Sequence, residues 1–300
     1  MAASFEYNNG MSEPHPPIRR LIIAAHPGIS EALPEAQRVA DYLKRYSLER
    51  IDICPLQEKK VRELLESFQP DLLIALGGDG TMLRAGSLCG PQGIPVLGIN
   101  LGRFGFLIEV GRTDWESYLD LLLDGSYRIE ERMMLNACLV RNEKCLDSWD
   151  VLNEVVVCRG QFVRPIHLQT HVDGRLMANY VADGLIAATP TGSTAYALAA
   201  GGPILPPDLN NILIVPIAPH LSIDRAIILP QGACVTIQVQ TNHEAVVSAD
   251  GRPPTYMLDG DWVEISRAKY KARFVRFSDP GYFYRNISTY MEQNPAMGKK

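Results

Sequence analysis

Gly77-Gly78-Asp79-Gly80-Thr81 sets three glycines around a carboxylate, directly after the apolar run Asp71 to Leu76. That run reads as a strand, and Met82 to Leu88 reads as the helix it feeds. A strand end that opens a helix is where α/β sheets bind ligands. The glycines let a phosphate approach the backbone, and the first helical amides offer free N–H donors at the positive end of the dipole. Donor phosphates are expected on Gly77, Gly78, Gly80 and Thr81. Asp79 does not suit a plain phosphate cradle, because a carboxylate repels phosphate. It suits a base for a hydroxyl, or an indirect metal ligand. The competing reading makes Asp79 or Thr81 a helix N-cap in a tight turn.

A second cluster runs from Asp183 through Gly184-Leu185-Ile186-Ala187-Ala188 to Thr189-Pro190-Thr191-Gly192-Ser193-Thr194-Ala195-Tyr196. It reads as a strand, a hydroxyl-rich turn and a helix start. Amides and hydroxyls there would hydrogen-bond a polar, aromatic ligand, Tyr196 offers a flat face, and Ala195 leaves room. A Thr/Ser-capped helix alone would explain the hydroxyls but not Asp183. The histidines contrast with this. His26, His167, His171, His220 and His243 show no metal spacing and no nearby nucleophile pattern. His167 and His171 share a strand face rather than a helical zinc pair, so no histidine catalysis is expected.

Two styles of sequence must position these clusters. From Leu21 to about Gly125, strand-like runs (Leu21 to Ala25, Arg50 to Cys54, Asp71 to Leu76, Ile94 to Ile99) alternate with helical patterns (Glu31 to Tyr46, Lys59 to Phe68, Asp114 to Leu123). Alternation of this kind implies a parallel sheet with helices on both faces. After Arg132, short runs with frequent turn signals predict a mostly β half, with Asp173-Gly174 as a hairpin turn and one helical insertion near Ala195 to Ala200. The tail returns to strand (Phe274 to Phe277) and helix (Tyr282 to Glu292). The expected fold is α/β followed by all-β. A Rossmann-like N-terminal domain with a parallel sheet spans 19–130, after a disordered tail over 1–18. A C-terminal β-sandwich-type domain spans 131–270, and 271–300 packs back on the N-terminal domain.

Composition narrows the classes. A net charge of -5 and 46% hydrophobic residues suit a globular protein that binds neither nucleic acid nor membrane surface. A polyanionic ligand would have to be held by local groups. No apolar run approaches membrane-span length, and Met1 to Pro17 lacks the regions of a signal peptide. The six cysteines show no C-x-x-C pair. Cys54, Cys138, Cys158 and Cys234 are expected as small buried hydrophobes in a reduced, cytoplasmic protein.

The glycine-aspartate loop resembles a motif shared by NAD kinases, diacylglycerol and sphingosine kinases, and 6-phosphofructokinases. The Asp183 to Leu205 block closely resembles the NAD kinase signature. Gly98 to Leu107, Arg132 to Leu135, Leu152 to Val155 and Ser248 to Gly251 are similar to further elements of that family, in its order. The resemblance implies transfer of the terminal phosphate of ATP, or of polyphosphate as in some relatives, to the adenosine-ribose 2′-hydroxyl of NAD. It implies Asp79 as the base, with Gly80 and Arg84 beside the dinucleotide. Asn153 and Glu154 would meet the adenine side or a ribose, and Arg164 would contact ligand. Asp183 would bind the nicotinamide end. Thr191 and Thr194, Ala195, Tyr196, Ala197, Leu198 and Ala199 would line the dinucleotide, and Arg252 would take a site where some members place a contacting glutamine. Val181 stands where the family often has arginine, which leaves the acceptor's oxidation state open. A divalent cation, magnesium as first choice, would be held mainly by the donor phosphates. A homodimer or homotetramer is implied, with His220 to Arg225, altered from the family pattern, near a subunit-spanning site. The alternatives are a lipid kinase of the diacylglycerol or sphingosine type, and a catalytically silent NADP(H)-binding regulator.

Overall fold

The computed structural model describes residues 15–102, 105–220 and 222–293. Of the tail expected over 1–18, positions 1–14 lie outside the described residues, as do Arg103, Phe104 and Leu221 within expected site loops and 294–300 at the end.

The first half alternates as its periodicity requires: β1 (Arg20–Ala25), α1 (Ala32–Leu43), β2 (Arg50–Pro55), α2 (Glu58–Phe68), β3 (Leu72–Gly77), α3 (Asp79–Cys89), β4 (Val96–Asn100), β5 (Val110–Gly111) and α4 (Trp115–Leu123). Its strands pair in parallel, β2-β1-β3-β4 with β5 beside β4. β3 is buried at every position because both faces are covered. Leu72, Ile74 and Leu76 pack with Ala36, Val39 and Leu43 of α1, while Leu73 and Ala75 pack with Val61 and Leu65 of α2 and Met82 and Ala85 of α3. Each such leucine stabilises the domain by roughly 1.5–3 kcal/mol.

The second half holds β6 (Arg128–Arg141), β7 (Lys144–Val151), β8 (Glu154–Arg159), β9 (Ile166–Val172), β10 (Arg175–Ala182), β11 (Gly184–Ala188), α5 (Tyr196–Ala199), β12 (Ile212–Ile217), β13 (Ile227–Leu229), β14 (Val235–Gln240), β15 (Ala245–Ala249), β16 (Thr255–Met257), β17 (Trp262–Arg276) and α6 (Tyr282–Gln293). A six-stranded sheet, β13-β12-β11-β8-β15-β16, faces strands of a larger sheet across one apolar core. That larger sheet runs β10-β9-β14-β17-β4-β3-β1-β2, so one layer of the sandwich continues into the parallel sheet. The join is β17, antiparallel to β6 over most of its length and parallel to β4 at Phe274↔Val96. Both β6 and β17 run through the positions, near 130 and 270, at which the sequence suggests boundaries.

Three details differ from the sequence reading. The runs at Trp262 to Ser266 and Phe274 to Phe277 form one strand. The hairpin β6–β7, turned at Asn142 and Glu143 with positive φ of 50° and 61°, has no counterpart in that reading. The cysteine expectation is corrected as well: Cys138 and Cys145 are joined by a disulfide across this hairpin, and Cys158 and Cys234 are half-buried rather than core residues. Cys54 and Cys89 are buried and free. Among the described residues no helix is long and apolar enough to cross a membrane.

Candidate active site

Asp79 opens α3 rather than capping it; the N-cap is Gly78. Its carboxylate turns toward the following loop and accepts the amides of Phe106, at 2.6 Å on Oδ2, and Leu107, at 3.1 Å on Oδ1. Gly105 is required for that approach, since a Cβ there would land on the carboxylate itself. The loop is built by Asn100, whose Oδ1 takes the Gly102 amide at 2.9 Å, while the Leu101 amide donates to Gly77 O at 3.0 Å. Burial pushes the Asp79 pKa up. The two amides and the charges of Arg276 and Arg132 oppose that rise.

The loop's own amides are partly committed. Gly78 N–H donates to Thr81 Oγ1 at 3.2 Å, and Thr81 N–H donates to Gly78 O at 2.9 Å. Gly77 packs so closely on the Thr81 side chain that no Cβ fits. Of the expected phosphate donors, Gly80 is left with a first-turn amide that helical geometry leaves without an intrahelical acceptor. Thr81 is buried and ties the turn together.

The second sheet brings its own cluster to the same place. Asn153 O accepts the Thr189 amide at 2.8 Å, and Gly192 sits so close to the Asn153 backbone that a side chain would collide. Asp250, held at φ 48°, organises this turn. Its carboxylate accepts the amides of Leu152 (2.8 Å), Asn153 (2.7 Å) and Glu154 (3.2 Å) and the hydroxyl of Ser87 on α3 (3.2 Å). Glu154 is buried, its Oε2 meets no hydrogen-bond donor, and its carboxyl is pushed up to about 8 by desolvation and then by Asp250, against one amide of Tyr196. A cleft of about 160 Å³ results, lined by Asp79, Gly80, Asn153, Thr191, Thr194 and Ala195 of the expected set. Leu83, Phe106, Leu107, Arg132, Pro190, Pro207 and Phe283 complete it.

Two buried arginines stand behind Asp79 and were not assigned from sequence. Arg132 Nε donates to Glu130 Oε1 at 2.6 Å and Nη1 to Thr191 Oγ1 at 3.3 Å. Arg276 donates Nε and Nη2 to the same Glu130 oxygen, each at 3.2 Å, and Nη1 to Leu107 O at 2.8 Å. Burial disfavours the charged form of Glu130, but Arg276 and Arg132 override it and hold the pKa at about 2. A signal for Arg132 existed: a charge directly before the apolar run Met133-Met134-Leu135, buried if the run is, must have a partner.

Other expected residues lie apart from this cleft. Arg84 is exposed and, with Arg252, sits near Glu58. Arg164 is exposed in the 160–165 loop. Asp183 forms an ion pair with Arg159, Nε to Oδ1 at 3.0 Å, a partner that the sequence reading missed. Val181 O accepts the His220 amide at 2.7 Å and Ile217 O accepts the Asp183 amide at 3.0 Å, so the His220 segment does reach the Asp183 strand. Tyr196 is exposed, Ala197 is the buried residue of α5, and Leu198 and Ala199 follow it in the same helix. Phe283 reaches the cleft from α6. Among the described residues no group of three histidine, cysteine or acidic side chains could hold a metal ion.

The chain is similar to known proteins in sequence and in fold. The family model described as the ATP-NAD kinase N-terminal domain matches residues 49–127, and that of the C-terminal domain matches 152–277. An NAD kinase of Heliobacterium modesticaldum is 41% identical over 263 residues, covering 84% of this chain and 92% of its own. One of Symbiobacterium thermophilum is 45% identical over 218 residues, 72% of this chain and 76% of its own. In fold, the chain is similar to yeast NADH kinase complexed with NADH, with a TM-score of 0.81, 24% identity, and coverage of 93% and 89%. It is also similar to an NAD kinase from Archaeoglobus fulgidus in complex with ATP, with a TM-score of 0.73, 24% identity, and coverage of 92% and 100%. With matches across both halves and relatives above 40% identity, the chain belongs to the NAD kinase family.

Proposed function

We propose that this cleft moves the terminal phosphoryl group of ATP onto the adenosine-ribose 2′-hydroxyl of NAD, with Asp79 as general base. NAD kinase activity follows from the family. As the bond from the 2′-oxygen to the γ-phosphorus forms, the bond to the β,γ-bridging oxygen breaks and ADP leaves. The hydroxyl proton passes to Asp79. The observation that carries this reading is the pinned carboxylate. Phe106 and Leu107 occupy one lone pair on each oxygen, which fixes its direction and leaves it able to accept a proton. Its raised pKa makes it a stronger base than a solvated aspartate.

Gly80 would offer its amide to donor phosphate, while Asn153, Thr191, Thr194 and Ala195 would hold the adenosine side of NAD. Asp183, with Arg159, would take the nicotinamide end. Magnesium fits only as an ion carried by the phosphates, because the cleft presents a single carboxylate already bonded to two amides. Bound there, it would neutralise phosphate charge. A homodimer or homotetramer through the β half accords with exposed Phe162, Val163, Tyr256 and Leu258. Light scattering that found only monomer at micromolar concentration would reject it. A cytoplasmic setting is proposed with the activity, although a reducing compartment would open the Cys138–Cys145 bond.

The lipid-kinase and silent-regulator alternatives find no support among the relatives, which are NAD kinases. Incubation with NAD, ATP and magnesium, with NADP read by an NADP-specific dehydrogenase, tests the activity. Inorganic polyphosphate in place of ATP, and a diacylglycerol or sphingosine acceptor, complete the assay. NADP formation is expected, and lipid phosphorylation without it would refute the reading.

A further inference from the structure

We propose that Arg132 is a catalytic residue, holding the phosphoryl group during transfer and the new 2′-phosphate of the product afterwards. This rests on the NAD kinase reading of the same cleft. Arg132 is 4% exposed, flanked along β6 by buried Met133, Met134 and Leu135, and it lines the cleft with Asp79, Gly80, Asn153 and Thr191. A guanidinium carries five N–H donors in a fixed fork. Two are used here, Nε on Glu130 and one of Nη1 on Thr191. Nη2 meets no acceptor among the described residues, yet it is not among the side-chain nitrogens sealed away without a partner. Its remaining donors are therefore not sealed off, and Arg132 lines both this cleft and the small adjoining pocket of about 20 Å³ beside Glu130 and Arg276.

Arg276 gives the contrast. Its three nitrogens are all spent, on Glu130 and Leu107 O, and it does not line this cleft. Glu130 thus has a cationic partner without Arg132. The fork of Arg132 is also fixed at two points, one on β6 and one, Thr191, in the dinucleotide-side turn. Charge in phosphoryl transfer spreads over three equatorial oxygens, and a planar, prepositioned guanidinium matches two of them at once. It also answers a difficulty of the product. A new 2′-phosphate beside Asp79 would be repelled by the carboxylate, and Arg132 is the cation facing that cleft that offsets it.

The test compares affinities for NADP and NAD without donor present, so it is separate from turnover, on wild type, Arg132→Lys and Arg132→Gln. Loss of a charge-assisted contact to phosphate should lower the NADP-to-NAD affinity ratio about tenfold in Arg132→Gln, and several-fold in Arg132→Lys. At saturation kcat should fall about 10–100-fold in Arg132→Gln, while KM for NAD changes little. Arg132→Lys keeps the charge beside Glu130 and serves as the folded variant should Arg132→Gln fail to fold. An unchanged NADP-to-NAD ratio in a folded variant would overturn the proposal and leave Arg132 as a partner of Glu130 alone. A wild-type protein that makes no NADP would instead sink the underlying reading.

Discussion

Glu154 should make the stability of this protein fall between pH 6 and pH 8. A glutamate ordinarily ionises at 4.5, and here desolvation and Asp250 push it up to about 8. A carboxyl with a raised folded pKa binds its proton more tightly folded than unfolded. Its stabilising contribution is therefore full below the unfolded value and is lost as pH rises toward the folded one. Between pH 6 and 8 the unfolded chain has already released this proton, whereas the folded protein goes from almost fully to half protonated. At 1.36 kcal/mol per pKa unit, the loss over that window is about 2 kcal/mol. For 300 residues at about 2.1 cal/mol/K each, it corresponds to a fall in Tm of about 3–4 °C. Glu154→Gln removes the titration while keeping size and burial, so the difference between the two pH profiles isolates this group. The assay is thermal unfolding of both proteins without ligand from pH 5 to 9. Parallel profiles would refute the reasoning and place the Glu154 proton in solvent.

Asp183→Ala should weaken NAD binding by one to two decades with kcat at saturation retained, since a charge-assisted hydrogen bond is worth roughly 1.5–3 kcal/mol. Collapse of turnover with affinity intact would show the role to be chemical instead. Gly105→Ala puts a Cβ onto the Asp79 carboxylate and should cut kcat roughly 10–100-fold, because misplacing the base by about 1 Å costs that much. Near-normal turnover in that variant would mean that the loop does not hold Asp79 as described.

Much of this was legible in the sequence wherever local pattern and long-range packing agree. β3, α3 and the loop between them follow from an apolar run that only a sheet covered on both faces can bury. Asp79, Gly80, Asn153, Thr191, Thr194 and Ala195, a part of the expected set drawn from three separate motifs, line one cleft. What failed to show was what depends on pairing across the chain. The β6–β17 ladder and the merged β17 are set by register between residues more than 100 apart, and no local periodicity encodes that. Asp250 lies in the Ser248 to Gly251 element singled out by resemblance, but its role comes from meeting four donors from two other segments, which the local pattern does not encode. Arg84, Arg164 and Arg252 illustrate the converse. Spacing alone does not separate a ligand contact from a solvated arginine, and the structure sets all three outside the cleft.

The role of Asp79 is tested most directly by steady-state NADP formation and NAD binding measured side by side on Asp79→Asn. Asparagine is nearly isosteric and keeps one oxygen for the Phe106 or Leu107 amide, so the variant should fold at a cost of ~1 kcal/mol. It cannot take the 2′-hydroxyl proton. Turnover should fall by ~10² or more while NAD affinity stays within a few-fold of wild type, or tightens as a negative charge leaves the phosphate site. Near-wild-type NADP production by the folded variant would contradict Asp79 as the base.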